Sequence, residues 1–200
     1  MTVGLVSWNV WWRFGDHHAR APHVAAELDR VAADVVCLQE VWGEVGDRAP
    51  DGDDGAVVDG PGTDGAFHAA DLAQHLGLPE WRYAWRRAHE GVAFGNAILS
   101  RHPIVRAEAL HLPSGDHLDE QRTCLLVVVD TPDGRCNVAT THLNFLWDHS
   151  HVRQEQAAAI CRWLAERREP DAPVVLTGDL NAEPISDEVR MLTGLSLIHI

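Results

Sequence analysis

Four segments of this 200-residue chain run apolar and then stop on a residue able to bind metal or phosphate. They are residues 3–9 (VGLVSWN, ending at Asn9), 35–40 (VVCLQE, ending at Glu40), 137–142 (NVATTH, ending at His142) and 174–181 (VVLTGDLN, ending at Asp179 and Asn181). Runs this short and this rich in Val, Leu and Thr suit buried strands. The chain is thereby constrained to a sheet whose rim carries polar groups drawn from distant parts of the sequence. A core has no need of those residue types at those places, whereas the chemistry of metal-assisted hydrolysis does.

Hydrophobic residues make up 46% of the chain, enough for one sizeable core and one domain. The formal net charge is −14, and all 16 basic residues are Arg, with no Lys. That balance argues against broad affinity for polyphosphate backbones. Cys37, Cys124, Cys136 and Cys161 show no C-x-x-C spacing, so reduced and mostly buried thiols are expected. The first residues, MTVGLVSWNVWW, lack a basic region and a small-residue cleavage site, and no apolar run approaches a membrane span. A cytoplasmic monomer with no signal peptide and no membrane span is the expectation.

Along the chain, residues 3–8 are expected to form a strand and 21–33 a helix, with Val24, Leu28 and Val31 at helical spacing and Pro22 in its first turn. Residues 35–39 give the next strand, a β-α-β opening common in layered α/β folds. Residues 44–65 are rich in Gly and Asp and read as a solvated loop; DGDDG within it lacks the spacing of a calcium loop. A short helix over 66–76 ends at Gly77, and strands are expected at 81–86, 92–99 and, as an edge, 104–111. Thr131-Pro132-Asp133-Gly134 is a turn signal between two apolar runs, which predicts a hairpin. Residues 151–168 are the clearest helix, with Val152, Gln156, Ile160, Trp163, Leu164 and Arg167 on one face, and 173–177 a buried strand. Strands outnumber helices, and hairpins coexist with β-α-β units, which fits an α/β sandwich with mixed sheets.

Glu40 is a hard oxygen ligand suited to Mg²⁺ or Mn²⁺, and magnesium sites commonly use only one or two carboxylates. A salt-bridged or capping Glu is the plainer alternative. Asp179 and Asn181, two residues apart, can point into one cavity if the segment stays extended. The Asp would then orient or deprotonate a water, and the Asn would donate to a phosphate oxygen. Asx-turn chemistry is the alternative. His142 suits charge stabilisation on a phosphoryl oxygen or proton shuttling, or else a hydrogen-bonded core position. Asn9 suits holding a carboxylate or a metal-bound water, or an ordinary turn.

In order, the chain shows SWNV, LQEV, GNAILSRHPI, TTHLN and GDLNAEP. This set resembles the endonuclease/exonuclease/phosphatase superfamily of DNase-I-like, metal-dependent phosphoesterases, from residue 3 to about residue 190. The LQE and GDLN elements are its most specific parts. The resemblance implies a four-layer α/β sandwich, two mixed β-sheets packed face to face with helices outside. It implies a metal site containing Asn9 and Glu40, with Glu40 the direct ligand, and Mg²⁺ (or Mn²⁺) as cofactor. Asp179 would position or activate the attacking water, and Asn181 and His142 would contact the scissile phosphate. Asn96 would lie in a loop facing the site.

One departure stands out. The family's last motif, an Asp-His pair after a final strand, is absent, and His199 in the terminal MLTGLSLIHI is not preceded by Asp. Residues 195–200 look like the translation of a sequencing-library adapter. The domain is therefore expected to occupy 1–194 and to lack its last strand or strands, with 195–200 a non-native tail and the truncated chain inactive. The expected substrate is a phosphoester, small, lipid-derived or nucleotide, with DNA disfavoured by the acidic charge. A non-catalytic binding or scaffold module that keeps the fold is the rival reading.

Other clusters are set aside. His17, His18, His149 and His151 lack zinc-ligand spacing, although His149 and His151 fall close enough to His142 for substrate contact. Residues 81–87 (WRYAWRR) mix Arg with aromatics as single-strand binders do, but the alternation is that of a half-buried strand. Trp11, Trp12 and Phe14 suit either a substrate mouth or ordinary packing.

Overall fold

The computed structural model describes residues 2–48, 56–115 and 121–194. Among them nine strands and four helices alternate in the order β1 (Leu5–Asn9), α1 (His17–Val31), β2 (Val35–Glu44), β3 (Val57–Asp59), α2 (His68–Leu76), β4 (Glu80–His89), β5 (Val92–Ser100), β6 (Ile104–His111), β7 (Thr123–Thr131), β8 (Gly134–His142), α3 (Ser150–Arg167), β9 (Val174–Asp179) and α4 (Asp187–Leu192). One sheet has the order β1-β2-β5-β4-β3, the other β6-β7-β8-β9. Each is mixed: β1 runs parallel to β2 and β9 parallel to β8, and every other pairing is antiparallel.

The period-2 alternation of side chains along these strands builds the layers. Val35 and Cys37 of β2 point to the centre, where they meet Ile98 and, from the second sheet, Leu125, Val127 and Val129. Val36 and Leu38 point the other way, onto Val24, Leu28 and Leu72 of α1 and α2. On the far side Cys124 and Leu126 of β7 meet Ile160 and Leu164 of α3. The result is four layers, helices–sheet–sheet–helix. Burying a Leu or Val of this kind contributes roughly 1.5–3 kcal/mol.

The aromatic alternation of residues 81–87 behaves as a strand: Trp81, Tyr83 and Trp85 are buried on the helix side of β4. The hairpin at 131–134 joins β7 to β8, with Thr131 opposite Gly134. β6 is an edge strand. Among the four thiols, Cys37 and Cys124 are buried, Cys136 is half-buried and Cys161 exposed, all free. No described helix is long and apolar enough to cross a membrane.

Several expectations need correction. α1 begins at His17, because the Asp16 carboxylate accepts the Ala19 N–H at 3.1 Å and caps it there, so Pro22 is the helix's sixth residue and not in its first turn. β9 is not buried: Val174 and Val175 are 36% and 38% exposed, since β9 pairs on one side only. β1 is likewise an edge, half-buried along its length. On α3 the buried stripe takes in Arg153 and Ala157, while Arg167 faces solvent. The loop expected over 44–65 contains β3, which pairs with β4; the DGDDG segment and the terminal residues 195–200, with His199, lie outside the described residues.

Candidate active site

Glu40 owes its placement to a break in the ladder. The β2–β5 register shifts between Leu38 and Val41, and Glu40 has a φ of 55°, in the left-handed region that non-glycine residues seldom visit. This is a β-bulge, which re-aims one side chain without ending the strand. The sequence suggested a strand ending at Glu40; instead β2 continues through the bulge to Glu44. The Trp12 N–H donates to the Glu40 carbonyl at 2.8 Å and the Val10 N–H to the Gln39 carbonyl at 3.0 Å, locking the chain beyond β1 against the bulge.

Asp179 is brought to the same place by the second sheet. It sits opposite His142 in the parallel β8–β9 register. Gly178 before it has a φ of 149°, and a Cβ there would stand 2.1 Å from the Thr141 carbonyl oxygen, so only glycine allows β9 to approach β8 this closely. After Asp179 the chain turns instead of staying extended. Asn181 has a φ of 46°, its N–H donates to Asp179 Oδ1 at 3.1 Å, and its Nδ2 donates to the Leu143 carbonyl at 2.9 Å. The Asx-turn alternative is thus the observed local geometry, yet Asn181 still lines the cleft with Glu40 and His142.

Asn9, at the end of β1, links the two sheets. Its Nδ2 donates to Glu40 Oε1 at 2.8 Å and to Asp179 Oδ2 at 2.9 Å, while its Oδ1 accepts the Trp11 N–H at 2.9 Å. The acceptors on one side and the donor on the other fix the amide's orientation. Asn9 therefore offers both carboxylates a donor, while its Oδ1 keeps a second lone pair beside the Trp11 N–H.

His142 is buried against both carboxylates, its Nε2 4.0 Å from Glu40 Oε1 and 3.9 Å from Asp179 Oδ2. Arg122 Nη1 lies 2.8 Å from His142 Nδ1. A guanidinium only donates, so Nδ1 carries the lone pair and the ring proton resides on Nε2, facing the carboxylates. Burial, and then the Arg122 charge, push the imidazole pKa down to about 3 against the opposing pull of Asp179, so the ring is neutral. For Asp179, burial works to raise the pKa, but the Asn9 amide, the Asn181 N–H and Arg122 hold it below the usual carboxylate range. The site thus presents a carboxylate acceptor beside an imidazole N–H donor.

Glu40 Oε2 is buried and has no hydrogen-bond partner, a costly state for a carboxylate oxygen that a cation would relieve. No group of three or more His, Cys, Asp or Glu among the described residues converges to hold a metal. A hard cation that takes one or two carboxylates and fills its shell with water fits this donor set.

A cleft of about 740 Å³ opens onto Glu40, His142 and Asn181, with Trp11, Phe14, Arg122 and Phe145 among its walls. A second concavity, between the free edges of β1 and β9, reaches Asn9 and Asp179 from the other side. Asn96 is not in a loop and not in the cleft lining. It lies within β5, buried, and its Nδ2 donates to the Thr123 carbonyl at 2.9 Å, tying one sheet to the other next to Arg122. His149 and His151 sit at the start of α3 outside the cleft lining, and His17 and His18, their rings tilted against each other, sit at the start of α1 beside a separate cavity. Arg122 and Gln39 escaped the sequence reading. Gln39 Nε2 donates to Thr140 Oγ1 of the other sheet at 2.8 Å and to Ser7 Oγ of the neighbouring β1 at 3.2 Å. An Arg directly before an apolar strand was the available signal for Arg122; a polar residue inside an otherwise apolar run was that for Gln39.

The model of the Endonuclease/Exonuclease/phosphatase family matches residues 6–199. The uncharacterized protein YbhP of Escherichia coli K12 is 30% identical over 162 residues, which are 80% of this chain and 58% of YbhP. Among solved structures, an endonuclease/exonuclease/phosphatase from Beutenbergia cavernae DSM 12333 superposes with a TM-score of 0.69 at 26% identity, covering 96% of this chain and 53% of that one. D. rerio TDP2, complexed with a single-strand DNA product, superposes with a TM-score of 0.65 at 19% identity over 98% of this chain and 66% of its own, a likeness of fold alone. The chain thus spans little more than half the length of YbhP and of the Beutenbergia protein. With two mixed sheets between helices and the family's motifs gathered where those sheets meet, the chain belongs to the endonuclease/exonuclease/phosphatase family.

Proposed function

We propose that the full-length protein is a Mg²⁺-dependent phosphoesterase that hydrolyses a phosphodiester or phosphomonoester by in-line attack of water. Phosphoesterase chemistry of some kind is the common property its family name declares. The observation that carries the finer reading is the Asn9 amide gripping Glu40 and Asp179 at once, with the His142 Nε2–H beside both.

Glu40, through its unpartnered oxygen, would hold the cation, which supplies charge neutralisation on the phosphoryl group. Asp179, kept ionised, orients the water and accepts its proton as the new P–O bond forms and the ester P–O bond breaks. His142 donates Nε2–H to a phosphoryl oxygen, and Arg122 keeps that proton in place. Asn181 turns its edge into the cleft from the other sheet. Asn9 holds two like charges together at a fixed separation.

The test is hydrolysis of an aryl phosphodiester by the full-length protein with and without EDTA, as wild type, Glu40→Gln and Asp179→Asn. Loss of at least about a hundredfold in each arm is expected. Turnover that persists in EDTA, or survives both substitutions, overturns the proposal.

A further inference from the structure

Exposed aromatic side chains gather at one place on this protein. Among the described residues they are Trp11 (53% exposed), Phe14 (46%), Phe145 (52%) and Trp147 (92%). The first three line the cleft that opens onto Glu40 and His142, and Trp147 follows Phe145 by two residues. Scattered apolar residues on a surface need no explanation, but aromatics collected around one concavity mark a surface that meets an apolar partner.

The backbone holds this rim in place. Trp11 has a φ of 62° and Trp12 one of 39°, two successive left-handed residues that turn the chain outward just after Asn9. Arg20 braces the turn, donating to the Phe14, Trp11 and Trp12 carbonyls at 3.0–3.1 Å and lying 4.8 Å from the Trp11 ring centre. The turn thereby presents Trp11 and Phe14 to solvent when a plain continuation of β1 would not. Opposite, the Arg122 guanidinium lies 5.5 Å from the Phe94 ring centre and 6.0 Å from that of Phe145. A cation suited to phosphate and a wall suited to its ester group are therefore adjacent.

Net charge narrows the partner. A chain at −14 with no Lys is poorly placed to gain affinity from counterion release along a polyanion. We infer that the cleft takes a phosphoester whose ester group is apolar, a flat ring or an alkyl chain, seated against Trp11, Phe14 and Phe145. This rests on the phosphoester reading above and adds the class of group that reading leaves open.

The experiment is calorimetric binding of methyl-, benzyl- and decylphosphonate, the last below its micelle concentration, with Mg²⁺ present. These probes cannot turn over, so leaving-group reactivity plays no part. Benzyl- or decylphosphonate should bind at least about tenfold tighter than methylphosphonate, the gain expected for burying that much apolar surface. A preference for benzyl names a ring as the group, a preference for decyl an alkyl chain. Phe145→Ala and Trp11→Ala, both at exposed positions and checked for fold by circular dichroism, should each lower the ratio about threefold or more. Equal affinities for all three probes, or a ratio unchanged in both variants, overturn this inference and leave the phosphoester reading standing. Failure of all three to bind overturns both. An oligothymidylate that binds more tightly than benzyl- and decylphosphonate also overturns it.

Discussion

The amide nitrogen of Asn9 lies 2.8 Å from Oε1 of Glu40, across 31 residues of chain, and the same nitrogen reaches Asp179 of the other sheet at 2.9 Å. Removing this donor leaves two carboxylates facing each other without a neutral partner. Asn9→Ala is expected to lower kcat/KM on an aryl phosphodiester about a hundredfold, the usual scale for one lost preorganised donor. Circular dichroism should be unchanged, and calorimetry should show weaker Mn²⁺ binding.

Arg122 sets the tautomer of His142 by donating to Nδ1. In Arg122→Ala the imidazole proton should distribute over both nitrogens, visible in ¹⁵N spectra of the ring at neutral pH. Activity is expected to fall about ten- to a hundredfold. Arg122→Lys keeps a donor and should recover part of it, an outcome that a merely structural role would not give.

Gly178 lets β9 approach β8 immediately before Asp179. A methyl group there meets backbone, not a flexible side chain, so the strand must move. Gly178→Ala should cost about 2 kcal/mol or more and lower Tm by roughly 4–8 °C. Activity should be lost even where the protein stays folded, because Asp179 moves with the strand.

Glu188 of α4 is fully buried, accepting from Arg153 Nε at 2.7 Å and from Ser150 Oγ at 2.9 Å. Glu188→Ala leaves the Arg153 charge buried without its carboxylate. The expected loss is about 3 kcal/mol by denaturant titration, and Arg153→Met added to it should restore part of that.

Asp34 ties the start of β1 to the end of β5. Its carboxylate accepts the Gly4 N–H at 2.9 Å and Arg101 Nε at 3.0 Å, and these two bonds, the Gly4 one foremost, hold its pKa below the usual value. A carboxylate depressed in the folded state stabilises above its unfolded pKa, near 4, and loses that contribution as pH falls through the folded value. Asp34→Ala should therefore melt about 2–4 °C below wild type at pH 7, with the gap closing below about pH 4 as the wild-type group protonates.

Much of the fold is legible in the residues. Period-2 alternation in 81–87, apolar runs at 125–129 and 138–141, and the Thr-Pro-Asp-Gly turn each act over a few residues, so local pattern suffices to place β4, β7 and β8. α4 and β3 are less visible. Glu188 reads as a surface residue until Arg153, 35 positions away, is seen to neutralise it, and β3 is three residues long, held by pairing with β4. The start of α1 depended on Asp16 as a cap, a signal present in the sequence but outweighed by Pro22.

The residue types of the site, Asn9, Glu40, His142, Asp179 and Asn181, were determined by the sequence, because a carboxylate or amide at the end of an apolar run has few uses inside a core. How they are arranged was decided only by tertiary structure. The bulge at Glu40, the left-handed turn at Asn181, the orientation of the Asn9 amide and the grip of Arg122 on His142 all depend on β1, β2, β8 and β9 meeting across two sheets. The same holds for Trp11 and Phe14. Their sequence suited packing and substrate contact equally, and exposure at the cleft is a property of the assembled surface, which no local pattern encodes.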